Sequence, residues 1–467
     1  MAGDGSHEEV SYLKKGFCLL AVLLAIMTNA AACGTHNAHD SDNAEEQQYR
    51  EVTLSLRHTQ IKETSQTRLR VLLDVVDKTM AENEGVTIKM EGIDEKIHRD
   101  TKLKQEMVAG NPPDIFEVFG GADLKLYVKA DRMLDLTPIL EELELTDKFA
   151  SLDEFTINGK VYGIPYGGYS EGIYYNKKIF DELNLGIPMT WDELMTAAET
   201  IKQAGYVPFG LAAKDAWIAG MMWNTIMERY VGIDAFNKLV SGETKWTDPG
   251  FIQGFEAYKE IVDRGFFPRG SLAIPDSALG SQLIRGQAAM VFTGTWDVNQ
   301  FTGANAGALN GQIGFFSFPS IEGGQGDQRS INASYSNGFG FSSNLSEDQV
   351  EIVKEFIANF FNEAVQKRAL MEDKLLPSMK LTDLTGIDPL MNEVLTVMSQ
   401  ASSSWPAFDA IVQPTVTAEI GIGLQELIGG LSTPEQVAQK IQAAQEKANA
   451  AHVSVSGLDA SSAGLGE

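Results

Sequence analysis

Few side chains of this sequence are spaced for covalent chemistry. The six histidines are scattered, and the pair His36-x-x-His39 has no further ligands, so a solvated tether explains it better than a metal site. The sequence contains no glycine-rich nucleotide loop, no nucleophile elbow and no H-E-x-x-H pattern. Acidic pairs such as Glu141-Glu142 and Asp153-Glu154 are expected on exposed faces. We therefore expect no enzyme, cofactor or metal, although paired carboxylates for glycoside hydrolysis stay open in so acidic a chain.

The charge balance excludes several classes of partner. Among the 467 residues, 37 Lys and Arg stand against 64 Asp and Glu, which gives a formal net charge of −27. Such a surface repels phosphate backbones, so we expect no nucleic-acid ligand. Two cysteines, Cys18 and Cys33, are too few for a disulfide scaffold. The length allows two or three packed domains.

The first 49 residues are typical of an export signal and a tether. Lys14 and Lys15 precede an apolar stretch, 17–27, and small residues then lead to Cys33. This order resembles a bacterial lipobox, although Ala30 stands where Leu is usual, and it predicts a signal peptide over 1–32 with a lipid on Cys33. Polar residues 33–49 would form a flexible tether. The alternative is an ordinary cleaved signal.

Strands and helices alternate in the body of the chain. Strands are predicted over 52–56, 86–90 and 114–119, with one helix between the first two and another over 99–109. The first helix would bury Leu69, Leu72, Leu73, Val76 and Met80. This order is typical of a mostly parallel sheet flanked by helices, whose ligands bind beyond the carboxyl ends of the strands. By that rule His58 and Phe119 face a ligand.

Helix starts are marked by side chains that cap them. Thr190 with Glu193, and Ser346 with Gln349, form capping boxes. Residues 433–436 are predicted to form a third capping box, with Pro at the first helical position. The Ser-, Gly- and Ala-rich end, 454–467, is predicted to be a disordered tail.

The most informative stretch, residues 159–193, reads GKVYGIPYGGYSEGIYYNKKIFDELNLGIPMTWDE. Its hinge-like glycines, its Tyr-Tyr-Asn-Lys strand end and its Phe-Asp-Glu-Leu helix resemble, in this order, the extracellular solute-binding proteins of carbohydrate ABC importers. This is family 1, the class of maltose-binding protein. Further matches, which extend the resemblance over about residues 50–450, are 113–116, 286–290, 294–296, 313–319 and 430–436. One departure is Gly167, where the family usually carries Ser, Thr, Ala, Val, Asp or Asn.

The resemblance implies a fold and its domains. It implies an α/β, two-lobed periplasmic-binding-protein-like fold of type II, with crossing strands as the hinge and a ligand cleft between the lobes. The N-terminal lobe would comprise 50–166 and 320–378. The C-terminal lobe would comprise 167–319 and 379–453.

A sugar site needs flat aromatic faces and polar side chains that bind hydroxyls. Trp296 matches a position where this family places a stacking tryptophan, and Tyr169 occupies its ligand-contacting hinge position, with Tyr166 across the glycines. The other candidates are the aromatic residues Trp217, Trp405 and Phe119 and the polar residues Asp297, Asp215, Glu171, Asn337 and His58. The tryptophans could instead be core or rim residues. We discount Trp191, in a helix cap, and Trp246, in a turn.

The sequence thus predicts a monomeric lipoprotein on the extracellular face of a bacterial, Gram-positive, cell membrane. It would capture a sugar or oligosaccharide and deliver it to the permease of an ABC importer. One alternative is the same fold with another solute, such as a polyamine, a peptide or a glycerol phosphodiester. The other is a secreted glycosidase.

Overall fold

The computed structural model describes residues 51–462, without the side chains of Thr64 and of residues 452–462. The predicted signal peptide, the lipid on Cys33 and the predicted tether therefore lie outside the described residues, as do residues 463–467. None of the described helices is both long enough and apolar enough to span a bilayer.

Eleven strands run along the described chain. They are β1 (Val52–His58), β2 (Val86–Gly92), β3 (Ile115–Phe119), β4 (Thr156–Ile157), β5 (Lys160–Val161), β6 (Ile164–Asn176), β7 (Val207–Gly210), β8 (Ala288–Gly294), β9 (Ile313–Phe316), β10 (Ile331–Phe341) and β11 (Ser404–Trp405).

The α-helices of the described chain alternate with these strands. They are α1 (Gln66–Glu82), α2 (Glu95–Ile97), α3 (Leu103–Ala109), α4 (Ala122–Lys129), α5 (Thr137–Glu142), α6 (Lys177–Glu182), α7 (Trp191–Gln203), α8 (Ala216–Val231), α9 (Ile233–Ser241), α10 (Pro249–Asp263), α11 (Leu279–Ile284), α12 (Glu347–Phe360), α13 (Glu363–Asp373), α14 (Pro389–Gln400), α15 (Pro414–Ile428) and α16 (Pro434–Ser462).

The predicted parallel opening of the sheet is confirmed. Strand β1 pairs in parallel with β2 on one side and with β3 on the other, and β10 then adds antiparallel to β3. The helix predicted over 99–109 is instead a π-helical turn, His98–Lys102, followed by α3. Strand β3 and the second half of β1 are buried on both faces, whereas β2, at the edge of the sheet, is mostly exposed.

Helix α1 forms where predicted, but the face that it buries is rotated. Leu72 and Val76 are buried as expected, whereas Leu73 is 38% exposed and Val71 and Val75 are buried instead. Helix α1 packs against α12 and α13 as well as the sheet, which widens and shifts the buried stripe.

Strand β6 joins the two halves of the fold. Its first residues pair with β10, and its last residues pair with β8 and β9, within one nine-stranded sheet. Gly167 lies in the half that faces β10, where an added Cβ would be 2.5 Å from the side chain of Leu375. A larger residue at this crossing would collide with Leu375, which explains why glycine replaces the residues usual in the family.

The apolar side chains form separate cores on the two sides of β6. Residues on either side of position 319, Phe318 and Ile321, both pack in the larger cluster, together with Trp223 and Phe255. The smaller clusters enclose β1, β3 and α12. At the boundary predicted between residues 378 and 379, Leu376 joins the larger cluster and Met379 a smaller one. The exact lobe boundaries drawn from the sequence stay a prediction.

The predicted helix starts are confirmed. Thr190 and Glu193 form a capping box before α7, and Ser346 and Gln349 form another before α12. The backbone N–H of Gln436 likewise donates to the hydroxyl of Thr433. At the other end, α16 continues to Ser462 and so enters the segment predicted to be a disordered tail; its Ala- and Ser-rich sequence there has no proline to stop a helix.

Candidate ligand-binding site

Three aromatic rings form a row beside the crossing strand. The ring of Tyr169 lies 5.6 Å from that of Trp296, and Trp296 lies 6.0 Å from Trp217 in an edge-on contact. Trp217 is 45% exposed, Trp296 is half-buried and Tyr169 is buried. The structure thus brings together three residues that the sequence named, and their binding role stays a prediction.

The elements that carry the row fix its geometry. Tyr169 lies on β6, Trp217 in the first turn of α8, and Trp296 in the 3₁₀ turn Thr295–Phe301 that follows β8. Gly294 lets the indole of Trp296 fold back over the strand, because a Cβ at this glycine would lie 2.3 Å from the ring. The Gly-Thr-Trp order is therefore a local steric requirement of this arrangement.

A polar group borders the row on the side of β10. The side-chain amide of Asn332 donates to Oε2 of Glu171 over 2.9 Å, and Trp405 on β11 pairs with Asn332 along the ladder. Both Asn332 and Trp405 are buried, yet Oδ1 of Asn332 and Nε1 of Trp405 have no hydrogen-bond partner among the described residues. The same is true of Nε1 of Trp296.

Glu154 is a second buried carboxylate of the site. The sequence placed Asp153-Glu154 on an exposed face; this is right for Asp153 and wrong for Glu154, whose two carboxylate oxygens are buried without a hydrogen-bond partner in the described structure. Its backbone carbonyl accepts from the N–H of Gly121 over 2.7 Å, which holds the residue against the loop after β3. Burial raises the pKa of Glu154, and likewise that of Glu171, to about 8.

Arg99 joins the first turn of α4 to the segment that carries Asp409. Its guanidinium donates to Asp123 over 2.8 Å and to Asp409 over 2.9 Å, and it lies 3.9 Å from the centre of the ring of Phe119. One face of Phe119 is therefore covered by a cation, and this predicted aromatic residue offers a ligand less ring surface than Trp217 does.

Asp297 lies beside the row, but its acceptor atoms are occupied. Its Oδ2 accepts from the hydroxyl of Thr293 over 2.8 Å, and its Oδ1 accepts from the amide of Gln300 over 2.7 Å. Burial raises the pKa of Asp297 to about 7. These bonds hold the turn that carries Trp296, so Asp297 positions the tryptophan.

Three other predicted site residues make their contacts outside the row. Tyr166 packs against Phe339 within a smaller core, because residues three apart on β6 point to opposite faces of the sheet. His58 is buried; burial lowers its pKa, and its Nδ1 accepts from the N–H of Gln60. Asp215 accepts from the N–H of Asp276 over 2.9 Å, just before Trp217.

Asn337 stands where β10 meets both neighbouring strands. It pairs with Phe119 on β3 and with Gly167 on β6, at a register shift. Its Oδ1 is buried without a hydrogen-bond partner in the described structure. An unpaired carbonyl at an irregular point of a ladder is a ready acceptor for a ligand hydroxyl.

Comparison with known proteins identifies the family of the chain. The family model of bacterial extracellular solute-binding proteins matches residues 64–367. The chain belongs to this family. Family and structural neighbours are binding proteins rather than enzymes, and the sequence prediction of the family is confirmed.

Several proteins that resemble this solute-binding protein in sequence or structure are described as sugar-binding proteins. A solved chitin oligosaccharide binding protein is 40% identical with a TM-score of 0.83, covering 86% of this chain and 99% of that one. A diacetylchitobiose binding protein of Streptomyces coelicolor is 24% identical over 303 residues, 64% of this chain and 67% of that protein. A multiple sugar-binding protein of Streptococcus mutans is 30% identical over 207 residues, 44% of this chain and 45% of that protein.

These likenesses confirm the predicted two-lobed α/β fold. A further solved structure, from work on xylan utilization by Caldanaerobius polysaccharolyticus, shares 26% identity with a TM-score of 0.76 and covers 84% of this chain and 99% of that one. The chain spans about half the length of several curated relatives that it matches, between 44% and 53%.

Sequence reasoning did not name four polar residues of this candidate site: Arg99, Glu154, Asn332 and Asp409. They lie on four separate segments, and no local pattern marks any of them. The only available signal was the glycine pair 120–121, since a backbone without Cβ atoms allows the close approach that buries Glu154.

Proposed function

We propose that this protein captures an oligosaccharide of N-acetylglucosamine, the chitin type, outside the cell and delivers it to the permease of an ABC importer. The row of Tyr169, Trp296 and Trp217, bordered by buried polar atoms without partners, is the observation that carries the proposal. Pyranose rings have apolar faces and polar edges, which such a site matches. The descriptions of the chitin oligosaccharide and diacetylchitobiose binding proteins support the choice of sugar.

The acetamide group gives this sugar a specific complement of contacts. Its carbonyl accepts one hydrogen bond and its N–H donates one. Within the part of the chain that the structure describes, the indole N–H groups of Trp296 and Trp405 are donors without partners, and the unpaired oxygens of Asn332 and Asn337 are acceptors. A ligand that pairs these atoms removes their desolvation cost, about 1–3 kcal/mol for each.

A thermal-shift and calorimetry panel tests the proposal. Diacetylchitobiose is compared with cellobiose, which has the same linkage with hydroxyls in place of the acetamides, and with maltose, xylobiose, a tripeptide and spermidine. At a hundredfold excess over Kd, a ligand stabilises the native state by about 2.7 kcal/mol, which raises the melting temperature by several degrees. If only the peptide or the polyamine raises the melting temperature, the proposal of a carbohydrate ligand is wrong. Cleavage of the sugar during incubation would favour the glycosidase alternative.

We also propose the cellular setting that the sequence predicts. The protein would be anchored through a lipid on Cys33, with the signal peptide 1–32 removed, on the extracellular face of a Gram-positive cell membrane, and would act as a monomer. Its membership in an extracellular family supports export. Cys33→Ala tests the anchor, as described in the Discussion.

A further inference from the structure

Four residues on four adjacent strands form a line across the sheet beside the aromatic row. Trp405 on β11 pairs with Asn332 on β10. Glu171 on β6 pairs with Gly294 on β8. The side-chain amide of Asn332 joins the two pairs, because it donates to Glu171 over 2.9 Å. These four residues, Trp405, Asn332, Glu171 and Gly294, are here called the cross-strand line.

The indole of Trp296 covers one end of the cross-strand line. Residues directly opposite each other on antiparallel strands point to the same face of the sheet, so Glu171 points to the side on which Gly294 would carry a Cβ. The ring of Trp296 occupies that side, since an added Cβ would lie 2.3 Å from it. Tyr169, two residues before Glu171 on β6, shares the same face and contacts the same indole. The line therefore has an indole at each end, with Asn332 and Glu171 between them.

Two hydrogen bonds hold the segment that carries Trp405. The hydroxyl of Ser403, on one side of this tryptophan, donates to Asp327 over 2.6 Å. The backbone N–H of Ala407, on its other side, donates to the hydroxyl oxygen of Tyr169 over 3.1 Å. Trp405 is thus fixed in place by the protein itself, which lowers the entropic cost of ordering it on binding.

Three polar atoms of this arrangement have no hydrogen-bond partner among the described residues. They are the indole N–H groups of Trp405 and Trp296, which only donate, and Oδ1 of Asn332, which only accepts. Asn332 is 1% exposed and Trp405 is 3% exposed, and buried polar atoms are normally paired. The arrangement therefore needs both a donor and an acceptor from outside the chain.

We propose that one acetamide group of the ligand binds to the cross-strand line, with its N–H donating to Oδ1 of Asn332 and its carbonyl accepting from Nε1 of Trp405. This rests on the function proposed above. An amide carries its donor and its acceptor on two different atoms, so it can pair side chains on two adjacent strands, about 4.8 Å apart. A hydroxyl carries both functions on one oxygen and satisfies both side chains less well across that spacing. Asn332 and Trp405 are then the residues that determine specificity for the N-acetyl group.

Calorimetric titration with two disaccharides tests this inference. Diacetylchitobiose carries acetamide groups, and cellobiose has the same linkage with hydroxyls in their place. The measured quantity is the Kd for cellobiose divided by the Kd for diacetylchitobiose, here called the acetamide preference. Trp405→Phe keeps an aromatic ring but removes the N–H, so it should lower the acetamide preference about three- to tenfold. Asn332→Ala removes the acceptor and should lower the acetamide preference by a similar factor.

Matched controls separate this effect from general changes in stability. Trp191→Phe at the start of α7 and Asn392→Ala, on the exposed side of α14, should leave the acetamide preference unchanged, because both residues lie outside the cross-strand line. Either Trp405→Phe or Asn332→Ala decides the question if the other variant fails to fold.

The outcomes distinguish this inference from the proposed function. An unchanged acetamide preference in a folded Trp405→Phe or Asn332→Ala protein would mean that water pairs these atoms. It would overturn this inference and leave the proposed function standing. A wild-type protein that binds neither sugar, or binds cellobiose as tightly as diacetylchitobiose, would overturn both.

Discussion

Trp217→Ala removes the most exposed ring of the aromatic row. Trp217 is 45% exposed, and a fully covered tryptophan buries about 150–250 Å². About 70–110 Å² of ring is therefore available to a ligand. At about 25 cal/mol for each Å², its loss weakens binding by about 2–3 kcal/mol, or about 20- to 100-fold in Kd.

The assay is calorimetric titration with diacetylchitobiose, together with the melting temperature of the ligand-free protein. The ligand-free fold should lose only the edge-on contact with Trp296, about 0.5–1.5 kcal/mol. Leu431→Ala is the matched control, since it removes another large exposed apolar side chain, 78% exposed, after α15. Its Kd should stay within about twofold of the wild type.

Unchanged affinity in a folded Trp217→Ala protein would refute the reasoning, because the ligand would then not cover the row. If the alanine variant is too unstable to measure, Trp217→Phe keeps a smaller ring. It should retain part of the affinity, with a loss of affinity smaller than the one expected for Trp217→Ala.

Four further outcomes are expected. Arg229→Met should destabilise the protein by about 3–5 kcal/mol in denaturant unfolding, because the buried guanidinium holds Glu228 and the carbonyl of Ser330; a loss below about 1 kcal/mol would contradict this. Thr190→Ala should cost about 1 kcal/mol through the lost cap of α7, and Thr190→Ser should restore most of it. The pKa of Glu171 is raised to about 8, so between about pH 4.5 and 8 the folded protein holds a proton that the unfolded chain has released. The melting temperature of the ligand-free protein should therefore fall as pH rises over this range, and a weaker pH dependence of the melting temperature in Glu171→Gln would identify Glu171 as the source. Cys33→Ala should move the protein from the membrane fraction to the medium or leave an uncleaved precursor, and a wild-type protein without lipid mass would indicate an ordinary signal.

Local patterns predicted the framework of the fold well. The parallel strands β1, β2 and β3 and the capping boxes at Thr190 and Ser346 depend on periodicity and on contacts within a few residues, and both are visible in a sequence. The Gly-Thr-Trp order before Trp296 was likewise local, because Gly294 makes room for that ring.

The site was harder to predict because its polar residues meet only through tertiary structure. Tyr166 and Tyr169 look equivalent around the hinge glycines, but alternation along β6 sends the first into a core and the second to the row. Glu154 reads as a surface residue beside Asp153, and only the approach of the loop after β3 buries it. Such placements depend on chain segments far apart in sequence.

Ion pairs already join the segments that border the candidate site. Lys62 bonds Asp276 over 2.9 Å, but both are partly exposed, so this pair contributes at most about 1 kcal/mol. Arg99 bonds Asp409 across the site, yet Glu154 and Glu171 remain buried nearby without a bonded cation. Protein contacts alone therefore leave several buried polar atoms of the described residues without a hydrogen-bond partner. A ligand that pairs these atoms stabilises the arrangement that brings them together, by the difference between its affinity for that arrangement and its affinity for one in which they lie apart.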